Sequence, residues 1–318
     1  MLIAIKIGTR GQKGGRSLQV PCLICGQSGV TAPLCYSSYS PLTGRLPGHP
    51  PVSQLWRCGH CHALFRIDLP GIDRVWTTEE WFDQVYYVAP ANEETYRGHK
   101  EGMFRDLQHR MTAAFGRPGK LIDFGCSYGH LAATFREAGW KATGVDVAPS
   151  IIEMHRRSGK LEVFPSLDDP GIPDGQADVI AMIDVLCYVD QPLDLLRLAY
   201  RKLASPGVIL LRVPNRNRFM IRGARRQDLP TRDVLCRYEV DHRTYWCART
   251  IQVVSKLAGF DHVVIRRREK GYRYPTARRK ALHYITQAVS AATAGVIDFA
   301  TVFHAELWKG SIGQQLRR

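Results

Sequence analysis

The sequence predicts an α/β fold built on a mostly parallel sheet, with a small cysteine-stapled segment in front of it. Three observations carry this reading. Apolar runs of strand length alternate with stretches of helical period from Leu121 to Val213. A glycine-bearing turn at Gly125 joins the first of these strands to the helix that follows. Ahead of them stand two CxxC pairs, Cys22-Leu23-Ile24-Cys25 and Cys58-Gly59-His60-Cys61, in a stretch rich in Pro, Gly and Ser that has few long apolar runs.

A chain of 318 residues with 45% hydrophobic content has room for one full α/β domain and an appendage, which excludes a disordered or fibrous protein. Residues 1–20 read as a flexible, basic N-terminus, 21–70 as a metal-binding ribbon, and 71–118 as a linker ending in a helix packed on the next domain. Residues 119–310 read as the catalytic domain, with an insertion near 268–298. In the linking helix, Tyr96, Met103, Phe104, Leu107, Met111 and Phe115 recur near helical period over 93–115, and Gly116 and Pro118 stop it.

Leu121-Ile122-Asp123-Phe124 then reads as a strand, Leu131 to Ala138 as a helix closed by Gly139, and Ala142 to Val145 as a second strand. A helix at Ile151–Arg157, a short strand near Val163 and strands at Asp178–Ile183 and Val208–Val213 continue the series, with a helix at Leu193–Leu203 between the last two. A helix at Thr250–Leu257 and strands at His262–Ile265 and Ala300–Leu307 complete it. Strands alternating with helices imply right-handed crossovers and a ligand crevice at the strands' carboxyl ends. An apolar stripe through Leu282, Ile285 and Val289 could meet a membrane surface or a partner helix, and is expected to pack on the protein's own sheet.

Asp123-Phe124-Gly125-Cys126-Ser127-Tyr128-Gly129 places glycines where a backbone must approach a ligand closely, at a helix start with unpaired N–H groups. About twenty residues on, Gly144-Val145-Asp146 ends the next strand in an acid suited to both ribose hydroxyls of a nucleoside. That arrangement also describes a nicotinamide dinucleotide site, so the turn must arbitrate.

Gly125-Cys126-Ser127-Tyr128-Gly129, after the strand-ending Asp123, resembles the first motif of class I S-adenosylmethionine-dependent methyltransferases. Pro173-Asp174-Gly175, Asp178 to Ile183, Asp184-Val185-Leu186-Cys187-Tyr188-Val189-Asp190 and Leu203-Ala204-Ser205-Pro206-Gly207 resemble the later motifs of that family in order. The resemblance covers roughly 93–310 and implies a Rossmann-like, mostly parallel seven-stranded sheet. It implies S-adenosylmethionine held by Asp123, Gly125, Cys126, Ser127, Gly129, Asp146, Val147, Ser166, Leu167 and Ile183, with the Gly125 turn at its methionine part, Asp146 at its ribose, and Ser166 and Leu167 at its adenine. Many relatives carry an acid at the position of Ser166 and a Glu-His pair at Cys187-Tyr188, so this chain departs from the family there.

The cysteines Cys22, Cys25, Cys58 and Cys61 have the number and local spacing of a closed tetrahedral zinc site, whose expected role is folding a core-poor segment. Cys35, His60 and His62 are substitutes. A ribbon of this kind before a methyltransferase domain resembles a bacterial group that includes deoxysugar, polysaccharide and natural-product enzymes.

A hydroxyl acceptor needs a base, and Asp184 and His242 are the leading candidates, with Tyr188 on the same loop as Asp184. Asp184 could instead cap a helix, Tyr188 serve in packing, and His242 be a structural histidine. The net charge of +15, with 19 Lys or Arg against 6 Asp or Glu from Arg212 to Lys280, suits an anionic small-molecule or glycan acceptor, or is an arginine-rich composition with no specific partner. RNA is the second candidate, favoured by charge and ribbon but lacking a base-stacking aromatic pattern, and a non-catalytic binding module is the third. Peripheral membrane contact is a further option. Nine cysteines, an odd count, fit metal ligands plus free thiols in the cytoplasm better than a disulfide framework. The first residues read as lacking a leader peptide, and no stretch of about twenty apolar residues is present.

Overall fold

The computed structural model describes residues 20–29, 31–37, 53–68, 80, 82–83, 91–215, 242–266, 271, 273, 276–292 and 302–310. The basic N-terminus and the arginine-rich stretch 216–241 lie outside them.

Three antiparallel strands, β1 (Thr31–Ser37), β2 (Ser53–Cys58) and β3 (Leu64–Asp68), form the ribbon. Its sheet does not close on itself: a fourth strand, Thr244–Tyr245, joins from the far half of the chain by pairing with β3. The first helix, α1 (Ala91–Phe115), buries Met103, Phe104, Leu107 and Met111 along one stripe, and Glu93 and Glu94 lie in its first turn, where the helix dipole favours acids.

The alternating series follows. It comprises β4 (Lys120–Phe124), α2 (His130–Glu137), β5 (Lys141–Val145), α3 (Pro149–Ser158), β6 (Val163–Phe164), β7 (Ala177–Ile183), α4 (Pro192–Lys202) and β8 (Leu203–Pro214). The Thr244–Tyr245 strand is β9, and α5 (Ala248–Ala258), β10 (His262–Arg266), α6 (Ala277–Ala292) and β11 (Val302–Lys309) end it. Proline in the first turn of α3 and α4 presets the backbone angle, and left-handed Gly159 and Gly259 end α3 and α5.

The large sheet has seven strands in the order β10-β11-β8-β7-β4-β5-β6. The five strands β4 to β8 are mutually parallel, and β11 enters antiparallel between β8 and β10. The seven-stranded, mostly parallel expectation holds. From β4 the chain builds outward through β5 and β6, then returns to lay β7 on the other side of β4. The topological switch point, where such sheets bind ligands, therefore falls at the carboxyl ends of β4 and β7.

All seven residues of β7 are buried, as a central parallel strand covered on both faces requires. Val179, Ala181 and Ile183 pack under α1 and α2. Ile180 and Met182 face the other way, into a core that also holds Leu196 of α4, Ile251 and Val254 of α5, and Ile24, Trp56 and Phe65 of the ribbon. The ribbon thus shares a hydrophobic core with the large sheet, which answers its own shortage of apolar residues.

Two expectations are corrected. The strand placed at 208–213 begins at Leu203, because Leu203 pairs with Ala177 before a register shift. Ile285 of α6 is 61% exposed rather than packed on the sheet, and Tyr284 beside it is 50% exposed. No helix among the described residues is long and apolar enough to cross a membrane.

Candidate active site and metal centre

The turn after β4 folds as its glycines dictate. Gly125 has φ of 75° and Gly129 of 78°, both in the left-handed region that glycine enters without penalty. A Cβ on Gly125 would stand 2.4 Å from Cγ2 of Val185, so the turn after β4 and the loop after β7 touch at the switch point. The amides of Gly125 and Cys126 both donate to the Val145 carbonyl, at 2.8 and 3.1 Å, fastening the turn to β5.

Asp146 organises this corner. Its Oδ2 accepts the Ser127 N–H at 2.9 Å and its Oδ1 the Ala148 N–H at 3.0 Å. Each carboxylate oxygen keeps a second acceptor position, so these bonds orient the carboxylate without exhausting it. Burial raises the Asp146 carboxyl above its ordinary range, against the pull of those amides. His155, a buried residue of α3 that the sequence reading did not single out, has Nε2 2.8 Å from the Ser127 carbonyl, a bond in which the imidazole N–H donates. Ser127 itself has φ of 50°, a conformation held from both sides by Asp146 and His155.

Asp123 is 4% exposed at the end of β4. Burial pushes its carboxyl up to about 7, with Asp146 adding in the same direction and the Ala132 amide and Lys100 opposing. Cys126 is buried beneath the turn, and Gly144 is glycine because a Cβ there would meet the Cys126 sulfur at 2.7 Å. Val147 is 40% exposed beside Asp146, an apolar surface open at the rim. After β6, Ser166 is exposed and its Oγ accepts the Asp168 N–H at 3.1 Å, whereas Leu167 turns its side chain into the core. Ile183 is buried at the end of β7.

Asp184, directly after β7, has φ of 61°, and its amide donates to the Arg212 carbonyl at 2.9 Å. Its Oδ2 accepts from Lys100 Nζ of α1 at 2.7 Å, and both oxygens accept from Nη1 of Arg212 on β8. Burial alone would raise this carboxyl, but Arg212 and Lys100 outweigh it and hold it well below the usual carboxylate range. A carboxylate held so firmly ionised between two cations is a weak proton acceptor. Lys100 and Arg212 are functional candidates that sequence reasoning missed.

The structure brings Tyr188 and His242 together. Their ring centroids are 5.0 Å apart, edge to face, and Phe82 also meets Tyr188 edge to face at 5.1 Å. His242 is 3% exposed and also meets Tyr245 at 5.9 Å. The backbone fixes this approach, since the amides of Arg243 and Thr244 both donate to the Cys187 carbonyl, at 2.7 and 3.1 Å.

Cys22, Cys25, Cys58 and Cys61 converge as their spacing implies. All four are buried and their sulfurs lie within 4.8 Å of one another, with Cys22 to Cys61 and Cys25 to Cys58 each at 3.7 Å. A tetrahedron of zinc–sulfur bonds of about 2.3 Å has edges of roughly 3.8 Å, so the donor set fits such an ion. The cluster sits against α5: Thr250 Oγ1 donates to the Cys61 carbonyl at 3.0 Å and Arg249 Nε to the His60 carbonyl at 2.9 Å.

Residues 96–264, more than half of the chain, match the family described as methyltransferase domain. Among curated relatives, an enzyme named ubiquinone biosynthesis O-methyltransferase from Psychrobacter arcticus is 29% identical over 154 residues, 45% of this chain and 59% of that one. The mitochondrial enzyme of the same name from Schizosaccharomyces pombe is 30% identical over 101 residues, 29% and 36% of the two chains. The match therefore spans less than two thirds of each relative. A solved S-adenosylmethionine-dependent methyltransferase from Archaeoglobus fulgidus aligns with a TM-score of 0.47 at 19% identity, over 71% of this chain and all of that one. On the family match over its central half, this chain belongs to the methyltransferase-domain family.

Proposed function

We propose that the enzyme methylates a hydroxyl oxygen of a small-molecule or glycan acceptor, bound at the switch point between the Gly125 turn and the loop after β7. The observation that carries this reading is the pairing of Tyr188, on that loop, with His242 from the segment before β9, while Asp184 at the start of the loop is already committed to Lys100 and Arg212. The curated relatives named O-methyltransferases support oxygen as the acceptor atom.

When bound, S-adenosylmethionine supplies an electrophilic methyl group on a sulfonium, and the protein's part is alignment and proton removal. Asp123, Gly125, Cys126, Ser127, Gly129 and Ile183 would hold its methionine part, Asp146 and Val147 its ribose, and Ser166 and the Leu167 backbone its adenine. His242 takes the acceptor proton, because it meets Tyr188 of the loop after β7 while Asp184 is committed to Lys100 and Arg212. Tyr188 holds the His242 ring in place. Asp184, in this role, anchors α1 and β8 at the crevice.

Cys22, Cys25, Cys58 and Cys61 would hold a structural zinc ion, which would staple the ribbon rather than take part in catalysis. None of the seven described cysteines forms a disulfide, which suits a reducing, cytoplasmic setting.

The test is transfer of labelled methyl from S-adenosylmethionine to a panel of hydroxylated small molecules and sugars, with an RNA hairpin alongside at two salt concentrations. Labelling of a hydroxylated acceptor, lost in His242→Gln, is the expected result. Labelling of RNA alone, weakened by salt, would replace this reading with nucleic-acid methylation.

A further inference from the structure

The ribbon and the acceptor-side loop meet at one residue. Arg243 Nη1 donates to Asp68 Oδ2 of β3 at 2.9 Å, while its Nε donates to Asp190 Oδ1, at the end of the loop after β7, at 2.7 Å. Its backbone spans the same gap: the Arg243 amide donates to the Cys187 carbonyl at 2.7 Å, and its carbonyl accepts the Arg66 amide at 2.9 Å. The Arg243 and Asp68 side chains are only 12% and 15% exposed, so this pairing is shielded from solvent in a way that surface pairs are not.

The neighbours on either side continue the connection. Thr244 Oγ1 donates to the Leu186 carbonyl at 3.0 Å, and Arg66 Nη2 donates to the Tyr245 hydroxyl at 3.1 Å. Farther along, Thr250 and Arg249 reach the carbonyls of Cys61 and His60 in the second cysteine pair. The segment 242–250 is therefore bonded on one side to the loop that carries Tyr188 and on the other to the metal-binding knuckle. In a ribbon serving only to fold itself, nothing would require a strand and an arginine of the catalytic domain at its edge.

We infer that Arg243 is a positioning residue that fastens the acceptor-side loop Leu186–Asp190, with the Tyr188–His242 pair, to the ribbon, so that the cysteine cluster braces the acceptor side of the active site and not the cofactor side. The planar guanidinium suits this task because its fork serves two carboxylates from different elements at once, which an ammonium on a flexible stem does not reproduce. The inference rests on the proposed placement of the acceptor at this loop.

The experiment compares full-length wild type, Arg243→Gln, Arg243→Lys and the exposed control Arg197→Gln by amide hydrogen exchange, by the His242 imidazole resonance and by S-adenosylhomocysteine titration. In Arg243→Gln, exchange over 186–190 and 242–245 rises about tenfold or more, as loss of charge-assisted bonds to a local segment predicts. The His242 resonance loses its displacement by the Tyr188 ring, and exchange at 123–129 and S-adenosylhomocysteine affinity stay within about twofold of wild type. Arg243→Lys recovers part of both signals, and Arg197→Gln behaves as wild type. Unchanged exchange over 186–190, or an increase spread evenly through β4 and β7 that the lysine does not relieve, would overturn the inference. Failure of the wild type to bind S-adenosylhomocysteine would count against the proposed function instead, while the exchange pattern still decides the role of Arg243.

Discussion

Lys100 Nζ lies 2.7 Å from Asp184 Oδ2, tying the middle of α1 to the loop that begins where β7 ends. Arg212 holds the same carboxylate from β8, and the three side chains are 10%, 24% and 9% exposed. Removing the negative partner leaves two cations facing each other in a poorly solvated place.

Asp184→Asn is therefore expected to destabilise the protein by about 3 kcal/mol at neutral pH, the usual cost of breaking a buried pair. The folded carboxyl titrates below its ordinary 3.8, so this stabilisation is complete above that range and is lost as pH falls through it. Denaturant melts of both proteins from pH 7 to pH 3 should show the gap between them closing toward acid. A gap that is constant with pH would mean that the ion pairs do not stabilise the fold.

Asp123 runs the opposite way. Its folded carboxyl is raised from 3.8 to about 7, so the folded state binds a proton that the unfolded state has released across that window. Its contribution is present at low pH and falls as pH rises toward 7, by at most about 1.4 kcal/mol per pH unit. Asp123→Asn should flatten the pH dependence of unfolding free energy between 4 and 7, measured without cofactor. An unaltered slope would place the titration elsewhere.

Gly125→Val introduces a Cβ 2.4 Å from Val185 at a backbone φ of 75°, combining a clash with strain of about 1–3 kcal/mol. The turn and the loop after β7 must then separate, and S-adenosylhomocysteine affinity should fall at least about tenfold in calorimetry. Gly159→Ala, at a helix end where a Cβ meets nothing within 4 Å, is the matched control and should leave affinity unchanged.

The double substitution Cys22→Ser with Cys25→Ser removes half of the four-sulfur cluster. Zinc content by atomic emission should drop from one per chain to none, with a loss of at least about 3 kcal/mol of apparent stability in zinc-containing buffer. Because Thr250 and Arg249 lean on this knuckle, α5 should loosen with it. Full zinc retention would remove the case for these ligands.

What the sequence made legible is what neighbouring residues decide among themselves. The Gly125 turn could be read because its strand, glycines and acid follow in order, and the four cysteines because CxxC spacing already sets two ligands side by side. Lys100 and Arg212 could not be read, because they meet Asp184 across 84 and 28 residues and nothing local marks them. His155 is likewise an ordinary helical histidine until α3 turns it toward Ser127. The pairing of β9 with β3 was hidden for a related reason: a two-residue strand has too little pattern of its own, and its place is set by a ribbon nearly two hundred positions earlier. Asp184 was legible in position but not in character, since its basicity depends on partners that only the folded chain assembles.

The central claim is that the carboxyl ends of β4 and β5 bind the nucleoside of S-adenosylmethionine through Asp146. Calorimetric titration of S-adenosylhomocysteine into wild type and Asp146→Ala, with NAD titrated in parallel, tests it most directly. The account predicts saturable one-to-one binding to wild type, loss of at least about tenfold in the variant, and no NAD binding. Absence of nucleoside binding to wild type, or equal affinity in Asp146→Ala, would contradict it.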